Sequence, residues 1–179
     1  MSISVAEAAL LGLLSEGAKH PYQIEKDVQF RDMRYWTELS MSAIYKLLSK
    51  LEFMNYVESQ TELSAENRAR KVYQLTPDGE EAFKEKLREL LSEAEHVRWQ
   101  VDVAFYNLDM LEREEQISLL KAYRQKVEQH IAGYRDLEAF MTGEGCRIYP
   151  LSIALRPIFM MEGELRWVDD FIRRIEAQD

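Results

Sequence analysis

The chain has 179 residues, 46% of them hydrophobic and 31% charged, with a formal net charge of −9. That is the length of one domain, or of a small domain with an extension, and the balance of a soluble globular chain rather than a disordered or fibrous one. The single cysteine, Cys146, excludes an internal disulfide and fits a reducing cytoplasm.

The first apolar run, residues 8–14, is too short to span a bilayer and has no cleavage site behind it. It reads as an ordinary helix opened by the capping box Ser4-x-x-Glu7. Pro21, directly after His20, fits a turn or helix boundary. Tyr22 and Trp36 are expected to support the core under the first two helices, with surface contact as the competing reading.

Residues 40–52 are the most informative stretch. Ile44, Leu48 and Leu51 recur at three and four, so they share one apolar stripe of a helix. Ser42, Ala43, Lys46, Ser49 and Lys50 lie mostly off that stripe. Small residues at a helix start let backbone approach a surface closely, and Ser and Lys offer donors to phosphates and base edges. That is the pattern of a DNA recognition helix, although any amphipathic helix has a polar face. Residues 55–81 strengthen it. Asn55 can take the left-handed conformation that ends a helix. Tyr56-Val57-Glu58 and Lys71-Val72-Tyr73-Gln74-Leu75 read as paired short strands, joined by a polar segment that ends in a basic cluster. Thr76 then caps a new helix, with Pro77 at its first position and Asp78, Glu80 and Glu81 complementing its dipole. Two helices, a third, a hairpin and a helix are the order of a winged helix. Arg68, Arg70 and Lys71 would form the wing tip that reaches a phosphate or minor groove.

These segments, YWTELSMSAIYKLLSKLE, MNYVE and RARKVYQLTPDGEEAF, with AALLGLLSEGAKHPYQI upstream, resemble the PadR family of bacterial transcriptional regulators. Pro21 and Asn55 stand where that family usually has glycine, both at boundaries where the fold tolerates them. The resemblance implies a homodimer on double-stranded DNA, and it implies that the hydroxyl of Tyr45, the tyrosine of the recognition-helix motif, addresses a phosphate. It also extends to regulators that release DNA on binding phenolic acids, so a small aromatic effector enters as an expectation.

The charge distribution opposes a strongly basic footprint. Residues 1–90 hold 12 Lys+Arg against 15 Asp+Glu, and residues 91–179 hold 11 against 17. Binding would rest on a local stripe of Lys46, Lys50, Arg68, Arg70 and Lys71, with Arg31 and Arg34 as further members, doubled by a second subunit.

The second half reads as helices. One is expected over residues 76–97, making the junction a rigid helical connection. Residues 98–111 are aromatic and apolar, and read equally as helix or extended chain. Residues 112–141 carry Ile117, Leu120, Tyr123, Val127, Ile131, Tyr134, Leu137 and Met141 at the spacing of a coiled seam, which Gly143-Glu144-Gly145 breaks. The last helix carries Leu151, Leu155, Ile158, Leu165, Val168, Ile172 and Ile175, with Pro157 expected to kink or divide it. Two such helices bury too little surface alone, so their remaining apolar faces are expected to meet a partner subunit. Trp99, Phe105, Tyr106, Phe159 and Trp167 are the side chains available to wall an effector pocket, with plain core packing as the competing reading.

Catalysis has no foothold. His20, His96 and His130 lack ligand spacing, and no glycine-rich phosphate loop exists. No enzyme activity, metal, cofactor or membrane attachment is expected. The expected fold is mainly α with a small β-hairpin wing: a winged helix-turn-helix over residues 1–91, then an antiparallel helical dimerisation domain over residues 92–179. The expected function is a homodimeric DNA-binding regulator, a repressor by preference, acting in the cytoplasm on a pseudo-palindromic operator. An acidic winged-helix module that binds protein rather than DNA is the alternative.

Overall fold

The computed structural model describes residues 2–63, 67 and 69–177. The chain forms two compact units, Met1–His96 and Val97–Asp179.

The first unit begins with α1 (Val5–Leu14). Its capping box is complete: Ser4 Oγ accepts the Glu7 amide at 3.2 Å, and Glu7 Oε2 accepts the Ser4 amide at 2.7 Å. In α2 (Pro21–Phe30), the His20 imidazole caps the helix by accepting the Gln23 amide at Nδ1. A 3₁₀ turn, Met33–Tyr35, leads to α3 (Met41–Phe53), capped by Ser40. Leu10, Leu11, Ile24, Val28, Leu39, Ile44, Leu48 and Leu51 are fully buried, so three short helices share one core.

Helix α3 stops as its sequence implies. Asn55 is left-handed at φ 59°, and the Tyr56 amide returns to the Leu51 carbonyl at 2.9 Å. The chain then makes β1 (Val57–Leu63) and β2 (Ala69–Leu75), antiparallel from Val57↔Leu75 to Leu63↔Ala69. Lys19 adds a bridge to Tyr73 through two backbone hydrogen bonds of 3.0 and 2.9 Å, which fixes the start of α2 beside the hairpin. Thr76 caps α4 (Pro77–Ser92). Gly79, in its first turn, is pressed against the hairpin: a Cβ there would lie 1.9 Å from the Tyr56 carbonyl oxygen. Only glycine permits that approach.

The sequence predicts that α4 runs to Val97, but it ends at Ser92, where Glu93 turns extended at φ −132°, ψ 143°. Residues 93–99 are exposed and carry no helix or strand. Without a buried face, nothing offsets the entropy of keeping these residues helical.

In the second unit, the aromatic stretch that reads equally as helix or extended chain is α5 (Val101–Tyr106) followed by a 3₁₀ turn, Leu108–Met110. Helices α6 (Arg113–Gly143) and α7 (Ile148–Glu176) pack antiparallel, as the pairs Arg124–Asp169 and Arg135–Glu162 require. Gly145, at φ 72°, makes the turn. Leu120 meets Val168 and Ile172, and Val127 and Ile131 meet Ile158, in the core of this pair. Pro157 does not divide α7, which runs through it. Burial of Ala154 and Ile158 on either side offsets the one lost backbone bond. Among the described residues, no helix is long and apolar enough to cross a membrane.

Candidate nucleic-acid interface

The outer face of α3 is a continuous stripe. Ser42, Tyr45, Lys46, Ser49 and Lys50 are exposed, opposite the buried Ile44, Leu48 and Leu51, and Ala43 is half-buried at the edge. Tyr45 is 51% exposed, and among the described residues nothing bonds its hydroxyl. Ser42 Oγ lies 3.1 Å from Ser40 Oγ at the helix start. The face thus offers three hydroxyls and a flexible ammonium, all able to donate to phosphate oxygens or base edges.

The basic side chains assigned to this surface divide into two groups. Lys50 Nζ lies 2.6 Å from Oε1 of Glu7, a carboxylate of α1 that is only 1% exposed. Lys71 bonds both oxygens of Glu52, at 3.0 and 2.7 Å, and sits over the Tyr73 ring. Arg34 is taken by both oxygens of Glu25 and by the Leu39 carbonyl. Arg31 forms a fork on Glu16. Lys46 and Arg70, by contrast, meet no carboxylate at ion-pair distance among the described residues, although Glu62 stands across the ladder from Arg70. Arg68 lies outside the described residues.

The pairing has electrostatic consequences. Burial pushes the Glu7 carboxyl up, but the Lys50 ammonium beside it and the hydrogen bonds with Ser4 outweigh it and hold the group below the usual carboxylate range. Glu52 is held low by the hydrogen bond from Lys71 and by that from Ser59. The His20 pKa is lowered by burial and by the charges of Arg70 and Lys26, which favours the neutral imidazole whose Nδ1 caps α2.

That last effect exposes a region that the sequence pattern underrates. Tyr22, expected to support the core, is 57% exposed, stacked on His20 with Lys26 over its ring at 4.9 Å. Trp36 is likewise 45% exposed. The first turn of α2 is therefore a surface of aromatic and cationic groups. The clue in the sequence is the spacing Tyr22-x-x-x-Lys26, which puts both side chains on one helix face away from Ile24 and Val28.

The side chains proposed to wall an effector pocket do not all meet. Phe105 and Trp167 do, with ring centroids 4.7 Å apart, joined by Phe171 and Tyr123. Burial and the hydrogen bond to Glu164 push the Tyr123 phenol up to about 12. Trp99, Tyr106 and Phe159 are exposed at 54%, 88% and 71% and take no part in that cluster. Nearby grooves on α6 and α7 are lined mainly by charged residues, among them Lys121, Arg124, Arg166 and Arg173. Among the described residues, no cluster of His, Cys, Asp and Glu is arranged to hold a metal.

Comparison with known proteins agrees with this architecture. Residues 10–85 match the transcriptional regulator PadR-like family, and residues 103–176 match the virulence activator alpha C-terminal family. Among solved structures, Bacillus subtilis PadR in complex with operator DNA is 19% identical with a TM-score of 0.73, over 96% of this chain and 99% of that one. The same protein in complex with p-coumaric acid is 18% identical with a TM-score of 0.75, over 97% and 100%. The Vibrio cholerae virulence activator AphA is 18% identical with a TM-score of 0.67, over 96% and 98%. No curated protein matches the chain. With the helix order, the hairpin wing and the paired C-terminal helices in place, residues 10–85 match the transcriptional regulator PadR-like family and the chain shares the fold of these solved regulators.

Proposed function

We propose that the protein is a homodimeric, sequence-specific DNA-binding repressor acting in the cytoplasm on a pseudo-palindromic operator. The observation that carries the reading is the outer face of α3, where Ser42, Tyr45, Lys46 and Ser49 stand free of the core with Ala43 at its edge. These residues address the major groove, and Arg70, with its wing neighbours Arg68 and Lys71, addresses the adjacent backbone. Tyr22 and Lys26 add a second point of approach at the start of α2. One short helix and one wing make few contacts, so two subunits must act together on half-sites about one helical turn apart, roughly 10 bp or a multiple.

The dimer reading is supported by α7. Tyr149, Ile153, Met160 and Trp167 fall at heptad-like spacing and remain 79%, 39%, 43% and 42% exposed. An apolar stripe of that length is rarely left to water. The test is a gel shift with DNA flanking the protein's own coding region, then footprinting. Two protected half-sites related by a dyad are expected; binding to every duplex alike, or none, would favour a module that engages protein instead.

A planar aromatic effector extends the reading, by analogy with the p-coumaric acid complex of Bacillus subtilis PadR. Trp167 stacked on Phe171 and edge-on to Phe105 would be the docking point. Titration of tryptophan fluorescence with simple phenolic acids checks it. Quenching accompanied by loss of DNA affinity is expected, and an unchanged signal with unchanged affinity removes the effector.

A further inference from the structure

We propose that Lys50, although it projects from the outer face of the recognition helix, is a positioning residue that locks α3 to α1 through Glu7 and donates no contact to DNA. This role rests on the reading of α3 as the recognition helix.

The geometry is specific. Glu7 is at the third position of α1, and its two carboxylate oxygens have separate duties. Oε2 accepts the Ser4 amide at 2.7 Å and closes the capping box. Oε1 points the other way and meets Lys50 Nζ at 2.6 Å. The carboxylate is 1% exposed, so water cannot solvate it, and Lys50 supplies the opposite charge that makes its ionised form tolerable there. Lys50 belongs to the last turn of α3, where the helix dipole also favours a cation.

The consequence is leverage. Ile44, Leu48 and Leu51 fix which face of α3 is inward, but apolar packing is non-directional and tolerates small rotations and slides. A short ion pair to a buried carboxylate of another helix, made from the end opposite Ser42 and Ala43, restricts that freedom. Polar contacts of the first turns with base edges need placement to within fractions of an ångström. Lys46 differs from Lys50 on this point: it stands on the same face, one turn earlier, and no carboxylate holds it at ion-pair distance among the described residues.

Two observables separate positioning from contact. A lysine that neutralises a phosphate contributes about 0.9 to the salt slope of binding, per subunit. A lysine that only orients the helix contributes nothing to that slope, yet its loss weakens specific binding. The experiment uses the full chain and a duplex that the wild-type protein selects from a randomised library. Affinities of wild type, Lys46→Ala, Lys50→Met, Glu7→Gln and the Glu7→Gln/Lys50→Met double variant are measured across a salt series. Circular dichroism confirms folding. We expect Lys50→Met to weaken specific binding on the order of tenfold at an unchanged salt slope, with Glu7→Gln alone giving a similar loss. The double variant should lose no more than either single one, the non-additivity of residues acting as one unit. Lys46→Ala should lower the slope. If Lys50→Met lowers the slope as Lys46→Ala does, or if Glu7→Gln leaves affinity intact, the positioning role is overturned while the DNA-binding reading stands. Should Lys50→Met fail to fold, Glu7→Gln decides the matter alone, because it keeps the Ser4 acceptor and removes only the charge. A wild-type protein that selects no duplex would overturn both readings.

Discussion

Lys46 and Lys71 carry the same charge but meet different neighbours. Lys71 commits its ammonium to Glu52 and the Tyr73 ring, whereas Lys46 extends from α3 with no carboxylate at ion-pair distance among the described residues. A cation already neutralised releases fewer counterions from DNA. Lys46→Ala should therefore lower the salt slope of binding by about 0.9 per subunit, and Lys71→Ala by clearly less; equal slopes in a fluorescence anisotropy series would refute the distinction. Tyr45 gives a second test at this scale. Its hydroxyl bonds nothing among the described residues, so Tyr45→Phe should leave the melting temperature unchanged and reduce operator affinity by about 1 kcal/mol, the worth of one hydrogen bond. A Phe variant that binds normally would show that only the ring matters. Glu7 sets an acid limit on stability. Its folded pKa lies below the ordinary value, so its stabilisation is complete above the usual carboxylate range and is lost as pH falls through the depressed value. The melting temperature should drop over that acid window, and Glu7→Gln should flatten the drop.

Elements are legible in the sequence where local chemistry decides them. Ser4, Thr76 and Asn55 cap or stop their helices as their side chains dictate, and the stripe Ile44, Leu48, Leu51 is buried as its spacing implies. Other features depend on neighbours distant in sequence. Nothing in residues 40–52 discloses that Lys50 faces a carboxylate 43 positions upstream, or that Lys71 faces Glu52. Charge patterning therefore overcounts the free cations of the binding surface. The end of α4 is misjudged for a related reason: Leu87, Leu90 and Leu91 look like a helical stripe, yet all three remain exposed and support no extension past Ser92. Gly79 does not stand out in the sequence because its constraint is purely spatial. With a Cβ 1.9 Å from the Tyr56 carbonyl, Gly79→Ala must shift α4 or the hairpin, at a cost of about 2 kcal/mol or more. A fall in melting temperature on the order of 10 °C is expected for a unit of this size. An unshifted melt would mean the first turn of α4 moves aside freely.

For the whole molecule, uncovered apolar surface is the dominant feature. Helices α6 and α7 bury one face on each other, while Tyr149, Ile153, Met160 and Trp167 line another that stays open. If that face is the seat of dimerisation, Met160→Glu should convert the protein to a monomer in sedimentation at micromolar concentration. Operator affinity should then fall with it, since one subunit supplies half the contacts. A monomeric wild type, or a Met160→Glu dimer that is unimpaired, would place the interface elsewhere. The acidic balance of the chain, −9 overall, is compatible with this arrangement because two copies bring two α3 faces to one duplex while most carboxylates lie outside them.

The shared carboxylate of Glu7 also constrains the order in which this sequence can change. Lys50 is 57% exposed along its side chain and finds water if its partner is lost, whereas Glu7 at 1% exposure does not. Losing the lysine first strands a buried charge; losing the carboxylate first strands nothing. Substitutions at position 50 should thus be accepted readily only in a background where position 7 has already become neutral. In a library varying both positions and sorted on folding alone, neutral residues at 50 should be found chiefly beside neutral residues at 7, while lysine at 50 should tolerate either state.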